Sequence, residues 1–151
     1  MKEKRLHKPF PEIFKELARI AGKEDYEYEK ADNSLEKIGN NIIISDVSND
    51  YRMSIVYDDE NEIKELHYFA KNKTAVRCTK PIEKIFKEIA QLTGIKDYNF
   101  NLSTLKTYNL GMRQEQLVSE ICNNEQAYRM IAAYNDHGIY ELHCFIERYN
   151  N

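Results

Sequence analysis

Apolar residues fall three or four positions apart in two separate stretches of the chain, residues 10–21 and 82–92. This spacing places the apolar side chains on one face of an α-helix and the charged ones on the other. Proline stands at the start of each stretch and glycine at the end, an order that helices favour because glycine accepts a positive φ. The sequence therefore predicts two amphipathic helices. Their apolar stripes are Phe10, Ile13, Phe14, Leu17, Ile20 and Ala21, and Ile82, Ile85, Phe86, Ile89 and Leu92.

After each helix, apolar and polar residues alternate, which is the pattern of a β-strand with one buried face. We predict four strands in each half of the chain, of which the last two form a hairpin across a polar turn. They lie at residues 26–28, 42–47, 51–57 and 63–70, and at residues 98–102, 117–121, 128–134 and 139–145. Spacing alone also allows a helix at 117–121, and the likeness between the two halves favours a strand there.

That likeness extends over most of the chain. Residues 8–28 and 80–100 share 10 identities over 21 positions, where background composition gives about one or two. Residues 51–53 match 128–130, and residues 63–69 match 139–145 at five of seven positions. Because the matches follow the same order in both halves, we predict a tandem duplication of one α-β-β-β-β unit.

These elements predict an α+β fold in which each repeat forms an antiparallel sheet with its helix packed on one face. We expect an N-terminal arm at residues 1–7, a first α-β4 repeat at 8–74 and a second at 75–151. The two sheets can join edge to edge, which removes two exposed edge strands. In outline this arrangement resembles cystatin-like folds and the tandem α-β4 architecture of the β-lactamase inhibitor proteins, a resemblance of topology that carries no function.

The register of each hairpin follows from pairing apolar residues on one face. The predicted pairs are Met53–Tyr68 and Ile55–Leu66, and Met130–Cys144, Ala132–Leu142 and Tyr134–Tyr140. The face that the helices leave uncovered then carries arginine, glutamate, histidine and phenylalanine in both halves. These candidate binding residues are Arg52, Glu65, His67 and Phe69, with Arg129, Glu141, His143 and Phe145. A structural interpretation, in which the charged residues pair across a solvated sheet, also explains the set.

Composition and charge exclude several classes of function. A net charge of −3 gives no electrostatic reason to expect nucleic acid as a partner. No run of about 18 apolar residues predicts a membrane span. The three cysteines have no metal-ligand spacing, and the N-terminus is charged rather than apolar. We therefore expect a cytoplasmic protein without a disulfide framework or a secretory signal.

Motifs for catalysis are also missing from the chain. It has no glycine-rich phosphate loop, no G-x-S-x-G and no H-E-x-x-H, so we predict no enzyme, no catalytic residue and no cofactor. A metal site is a weaker alternative that stays open, although the spacing of the residues alone assigns no metal ligand. If a pseudo-twofold axis joined the halves, Glu65, His67, Glu141 and His143 could surround a zinc ion.

The leading hypothesis is a non-catalytic binding protein that uses its exposed sheet face to engage, and to inhibit or neutralise, another macromolecule. We expect a protein partner and a chain that is a monomer or a homodimer. A composition rich in Lys, Asn and Ile suits a bacterial, phage or mobile-element inhibitor, immunity or counter-defence protein. The alternative is a small-ligand binder in which each repeat holds one anionic, nucleotide-like molecule through arginine, histidine and an aromatic ring.

Overall fold

The computed structural model describes residues 9–22, 35–45, 51–70, 81–95, 98, 105–110, 113–122, 126–135 and 138–149. These residues form two helices and eight strands, and the predicted α+β class is confirmed. The helices are α1 (Phe10–Ile20) and α2 (Ile82–Thr93). The strands are β1 (Glu36–Ile38), β2 (Asn41–Ser45), β3 (Tyr51–Tyr57), β4 (Ile63–Ala70), β5 (Lys106–Leu110), β6 (Arg113–Cys122), β7 (Gln126–Asn135) and β8 (Gly138–Arg148).

Both helices begin and end as their prolines and glycines predict. Pro9 and Pro81 are extended, with φ of −61° and −66°, and their carbonyls accept the first N–H groups of α1 and α2. Gly94 ends α2 in the left-handed conformation, with φ of +79°. A residue with a Cβ is strained in this conformation, so glycine suits the position.

All eight strands belong to one antiparallel sheet, in the order β1-β2-β3-β4-β8-β7-β6-β5. Strands β4 and β8, the last of each half, pair with each other at the centre. Each half therefore lies on its own side of the sheet, and neither β4 nor β8 is left as an exposed edge. His67 pairs directly with His143 in this central ladder, and an approximate twofold axis passes between them.

The observed hairpin registers confirm four of the five predicted apolar pairs: Met53–Tyr68, Ile55–Leu66, Met130–Cys144 and Ala132–Leu142. The fifth pair, Tyr134–Tyr140, is wrong. The register shifts between Ala133 and Tyr134, so that Tyr134 pairs with Ile139. Strands β3 and β4 have the same shift between Val56 and Tyr57. An extra residue in one strand of a pair has this effect, and alternation alone cannot locate it.

The outermost strands of the described sheet are ones that the sequence pattern did not predict. The strands predicted at 26–28 and 98–102 lie outside the described residues, except Tyr98, which belongs to no strand. Among the described residues the sheet begins at β1, a strand of three exposed residues joined to β2 through Gly39 and Asn40. Because all three residues are exposed, they carry no apolar alternation that a sequence pattern could reveal. The strand predicted at 117–121 is confirmed within β6.

Both helices pack on the same face of the sheet, which we call the covered face. Its strand residues form one buried cluster with Phe14, Leu17, Phe86 and Ile89 of the helices. The strand residues of this cluster at the centre of the sheet are Met53, Ile55, Leu66, Tyr68, Met130, Ala132, Leu142 and Cys144. Burial raises the pKa of the Cys144 thiol to about 12, which makes it an inert core residue. Among the described residues, no helix is long and apolar enough to cross a membrane.

Arg148, at the end of β8, ties three parts of the fold together. Its guanidinium lies 2.9 Å from the Glu62 carboxylate and 3.7 Å from that of Asp58, in the turn between β3 and β4. It also donates to the carbonyl oxygens of Ile63 and of Thr93, the last residue of α2. Arg148 therefore joins the second half of the chain to the hairpin turn of the first.

Candidate functional site

All eight candidate residues meet on the face opposite the helices, which we call the open face. They occupy three successive rungs of the four central strands β3, β4, β8 and β7. Across these strands the rungs read Arg52–Phe69–Glu141–Ala133, Ser54–His67–His143–Ile131 and Val56–Glu65–Phe145–Arg129. The first and third rungs are related by the approximate twofold axis. We call the eight candidate residues the central patch.

The middle of the central patch is a continuous chain of four side chains. The Nδ1 atoms of His67 and His143 lie 2.8 Å apart. The Nε2 atom of His67 is 3.1 Å from Oε1 of Glu65, and that of His143 is 3.2 Å from Oε1 of Glu141. Alternate residues of a strand project from the same face, which is why each glutamate reaches the histidine two positions away.

Both histidines are largely withdrawn from water, with side chains 25% and 24% exposed. Burial lowers the pKa of His67, and the neighbouring His143 ring lowers it further. The hydrogen bond and negative charge of Glu65 act in the opposite direction. The net lowering means that these four side chains, taken together, disfavour a full positive charge on His67.

Phenylalanines and arginines surround this chain. Phe69 and Phe145 are 47% and 37% exposed, and the Phe145 ring stands edge-on to His67 at 5.2 Å between centroids. Each phenylalanine pairs across the sheet with an arginine, Phe69 with Arg52 and Phe145 with Arg129. Both arginines are exposed, and neither has an ion pair or hydrogen bond within the part of the chain that the structure describes. Glutamate and histidine therefore pair along each strand and not across the sheet as predicted, and the two arginines pair with neither within the described residues.

A cleft of about 580 Å³ adjoins one end of the central patch. Glu65, Arg129 and Phe145 of the patch line it, together with Lys64 and Glu147. Arg52 and Phe69, the twofold-related counterparts of Arg129 and Phe145, do not line it. Sequence reasoning missed Lys64 and Glu147. The candidate residues are those that are identical in both halves of the chain. Lys64 and Glu147 differ from the residues at the equivalent positions of the other half, so this criterion does not select them.

The geometry does not favour the alternative in which two histidines and two glutamates surround one zinc ion. Each carboxylate contacts Nε2 of its histidine, on the side of the ring away from the other histidine. The four groups form a line and do not converge on one point, as tetrahedral coordination requires. Among the described residues, no group of three or more His, Cys, Asp or Glu side chains is arranged to hold a metal ion.

The two repeats do not form two separate histidine sites. His67 and His143 share one hydrogen bond, so the histidine and glutamate residues of both halves belong to a single site. The N-terminal arm at residues 1–7 and the other two histidines, His7 and His137, lie outside the described residues.

Comparisons of the chain with protein-family models, with curated proteins and with solved structures found no match. The resemblance in outline to cystatin-like folds and to the β-lactamase inhibitor proteins stays a prediction, and function has to be argued from the geometry of the central patch.

Proposed function

We propose that this protein is a non-catalytic binding protein that engages another protein through the open face of its sheet and thereby inhibits or neutralises it. One observation carries the proposal: the eight residues predicted from the repeat pattern lie together on the face of the sheet opposite the helices. Exposed phenylalanine beside exposed arginine is a combination that binding surfaces favour.

The size of the open face suits a protein partner. Eight strands about 4.8 Å apart, each about 20 Å long, present roughly 700 Å². A stable protein interface covers about 800 Å² on each partner. The central patch occupies about a third of this area, as expected when a few central residues contribute most of the binding energy.

The charges of the patch indicate the chemistry of the partner. Glu65 and Glu141 are engaged by histidines, whereas Arg52 and Arg129 lie at opposite corners, about 20 Å apart by strand geometry. A complementary surface has an apolar centre that meets the two phenylalanines and carboxylates that meet the two arginines. We therefore propose a partner with acidic residues around an apolar contact.

Site-specific photo-crosslinking tests this proposal. A benzoylphenylalanine at position 69 or 145 is expected to capture one discrete protein in cells that carry this sequence, and the same group at Lys87, exposed on α2, is expected not to. The captured protein is then purified and its affinity for the unmodified chain is measured. The variant F69A/F145A/R52A/R129A is expected to bind it at least about 100-fold more weakly.

A matched control decides what such a loss means. Lys84→Ala with Lys87→Ala removes two exposed charges from α2 and none from the open face, so it should bind as the unchanged chain does. Affinity should also fall as salt increases, because the arginines contribute through exposed charges. Equal binding by the patch variant and the control, or equal crosslinking from both faces, would contradict the proposal.

The cleft supports a second candidate function, the binding of a small anionic, ring-containing ligand. Its volume lies within the usual range for ligand sites, and Lys64, Arg129 and Phe145 can supply charge and an aromatic surface. Adenosine monophosphate is a suitable probe for calorimetry. Arg129→Ala should abolish its binding and Arg52→Ala should not, because only Arg129 lines the cleft. Native mass spectrometry of gently purified protein would show a retained ligand as an added mass of a few hundred daltons.

We also propose that the two halves are copies of one ancestral unit. The sequence identities between the halves support this origin. So do the repeated order of one helix and four strands and the equivalent register shifts at Val56/Tyr57 and Ala133/Tyr134.

A further inference from the structure

The contact between His67 and His143 restricts how many protons the patch can hold. Carboxylates accept hydrogen bonds, so each ionised glutamate needs an N–H on the Nε2 atom that faces it. A neutral imidazole has one N–H, and using it at Nε2 leaves a lone pair on Nδ1. Two neutral histidines would then hold two lone pairs 2.8 Å apart, which is a repulsive contact.

We propose that the chain Glu65–His67–His143–Glu141 binds one proton more than its two neutral imidazoles carry, and that this proton is shared between the two Nδ1 atoms. Its three contacts, at 3.1, 2.8 and 3.2 Å, then each contain one hydrogen. These are ordinary hydrogen-bond lengths. The shared proton joins β4 to β8 through side chains, in addition to the backbone ladder between the two halves.

A second extra proton binds much more weakly. It would make both rings cationic with their centroids 5.1 Å apart, and at an effective dielectric constant of about 20 this repulsion weakens binding on the order of 100-fold. The pair therefore titrates in two steps that belong to both rings together. Burial is the largest cause that lowers the pKa of His67, and the charge of His143 acts in the same direction.

The surroundings of the pair favour one positive charge over two or none. On β4 and β8 the facing charged groups are Glu65 and Glu141. On β3 the residue opposite His67 is Ser54, and on β7 the residue opposite His143 is Ile131; neither carries a charge. Arg52 and Arg129 lie one rung away on these strands and oppose a second positive charge.

The pH dependence of folding follows from these two steps. The first proton removes the repulsion between the two facing Nδ1 lone pairs, so the stabilisation it provides is lost as pH rises through the upper step. The folded pair binds the second less tightly, so stability is also lost as pH falls through the lower step. We expect the free energy of unfolding to be highest at a pH between the two steps.

Nitrogen-15 NMR of labelled histidine tests the proposal directly. In the variant H7Q/H137Q only the two patch histidines remain, and long-range spectra report the protonation of every ring nitrogen. Near pH 7 we expect both Nε2 atoms to be protonated and both Nδ1 signals to lie midway between those of an N–H and a lone pair. Titration from pH 4 to 10 should resolve two steps separated on the order of 100-fold in proton affinity.

Two controls complete the test. His143→Ala in the same background should leave His67 titrating in a single step, and, should that variant not fold, the spectra of the two-histidine protein decide alone. Adding a chelator should change nothing. Two unprotonated Nδ1 atoms at neutral pH, a single unsplit titration of both rings, or a chelator-sensitive metal between them would each overturn the proposal.

Discussion

The two faces of the sheet are built from the same strands and differ in almost every property. Along β4, Leu66 and Tyr68 point to the covered face and are at most 2% exposed, whereas their neighbour Phe69 points to the open face and is 47% exposed. Because successive residues of a strand alternate between faces, one short segment contributes both to the core and to the central patch. Neighbouring substitutions should therefore have very different consequences.

The comparison also separates two reasons for keeping a residue in both halves. Leu66 and Leu142 occur at equivalent positions and are buried under the helices, so packing explains them. Phe69 and Phe145 occur at equivalent positions and remain exposed, and packing does not explain them. An exposed large apolar residue present in both halves is the stronger indication of a binding role.

The largest expected effect comes from opening a cavity in the covered face. Leu66→Ala should lower the free energy of unfolding by about 2–5 kcal/mol, because it removes buried methyl groups and leaves a void. Phe69→Ala, three residues away on the open face, should change it by less than about 1 kcal/mol. Urea unfolding of both variants measures the difference. Similar losses in the two would mean that the open face is also part of the core.

A smaller effect is expected where a charge serves the fold. Arg148→Met should lower the free energy of unfolding by about 1–3 kcal/mol, since the Glu62 carboxylate and two carbonyl oxygens lose a cationic donor. Arg129→Met removes an exposed arginine with no partner among the described residues and should stay within about 0.5 kcal/mol. Thermal unfolding of the two variants tests this difference in stability. Equal melting temperatures for Arg148→Met and Arg129→Met would refute it.

The smallest expected effect has the opposite sign. The Tyr68 hydroxyl is buried without a hydrogen-bond partner within the described part of the chain, and burial raises its pKa. Tyr68→Phe removes an unsatisfied polar group from the covered face and keeps the ring. We expect a gain in unfolding free energy of about 1 kcal/mol. A loss of that size in urea unfolding would show that the hydroxyl has a partner.

The parts of the fold that sequence could predict are those in which a local pattern and burial coincide. The stripes of α1 and α2 and the alternation in β3, β4, β7 and β8 are long and regular, and each is confirmed. Strand β1 has three exposed residues, so its sequence does not show the alternation of apolar and polar residues that a half-buried strand has. The register shift beside Tyr134 depends on one extra residue at a turn, which alternation does not mark.

The candidate site divides in the same way. Alternation was enough to place Arg52, Glu65, His67 and Phe69 on one face, because that inference needs only the register of a single hairpin. The contact between His67 and His143 depends on which edges of the two half-sheets pair, across 76 residues of chain. No local pattern specifies that pairing. Arg148 was missed because its partners lie in a distant turn and at a helix end.

The central pairing of β4 with β8 also affects how the chain can assemble. Each half presents to the other an edge with the same Glu-x-His-x-Phe sequence, so the two edges are alike on the open face. In any state in which this ladder opens, β4 of one molecule can pair with β8 of another and rebuild the same rungs between two molecules. We therefore expect any dimers that form at high concentration or after partial unfolding to be domain-swapped through this ladder.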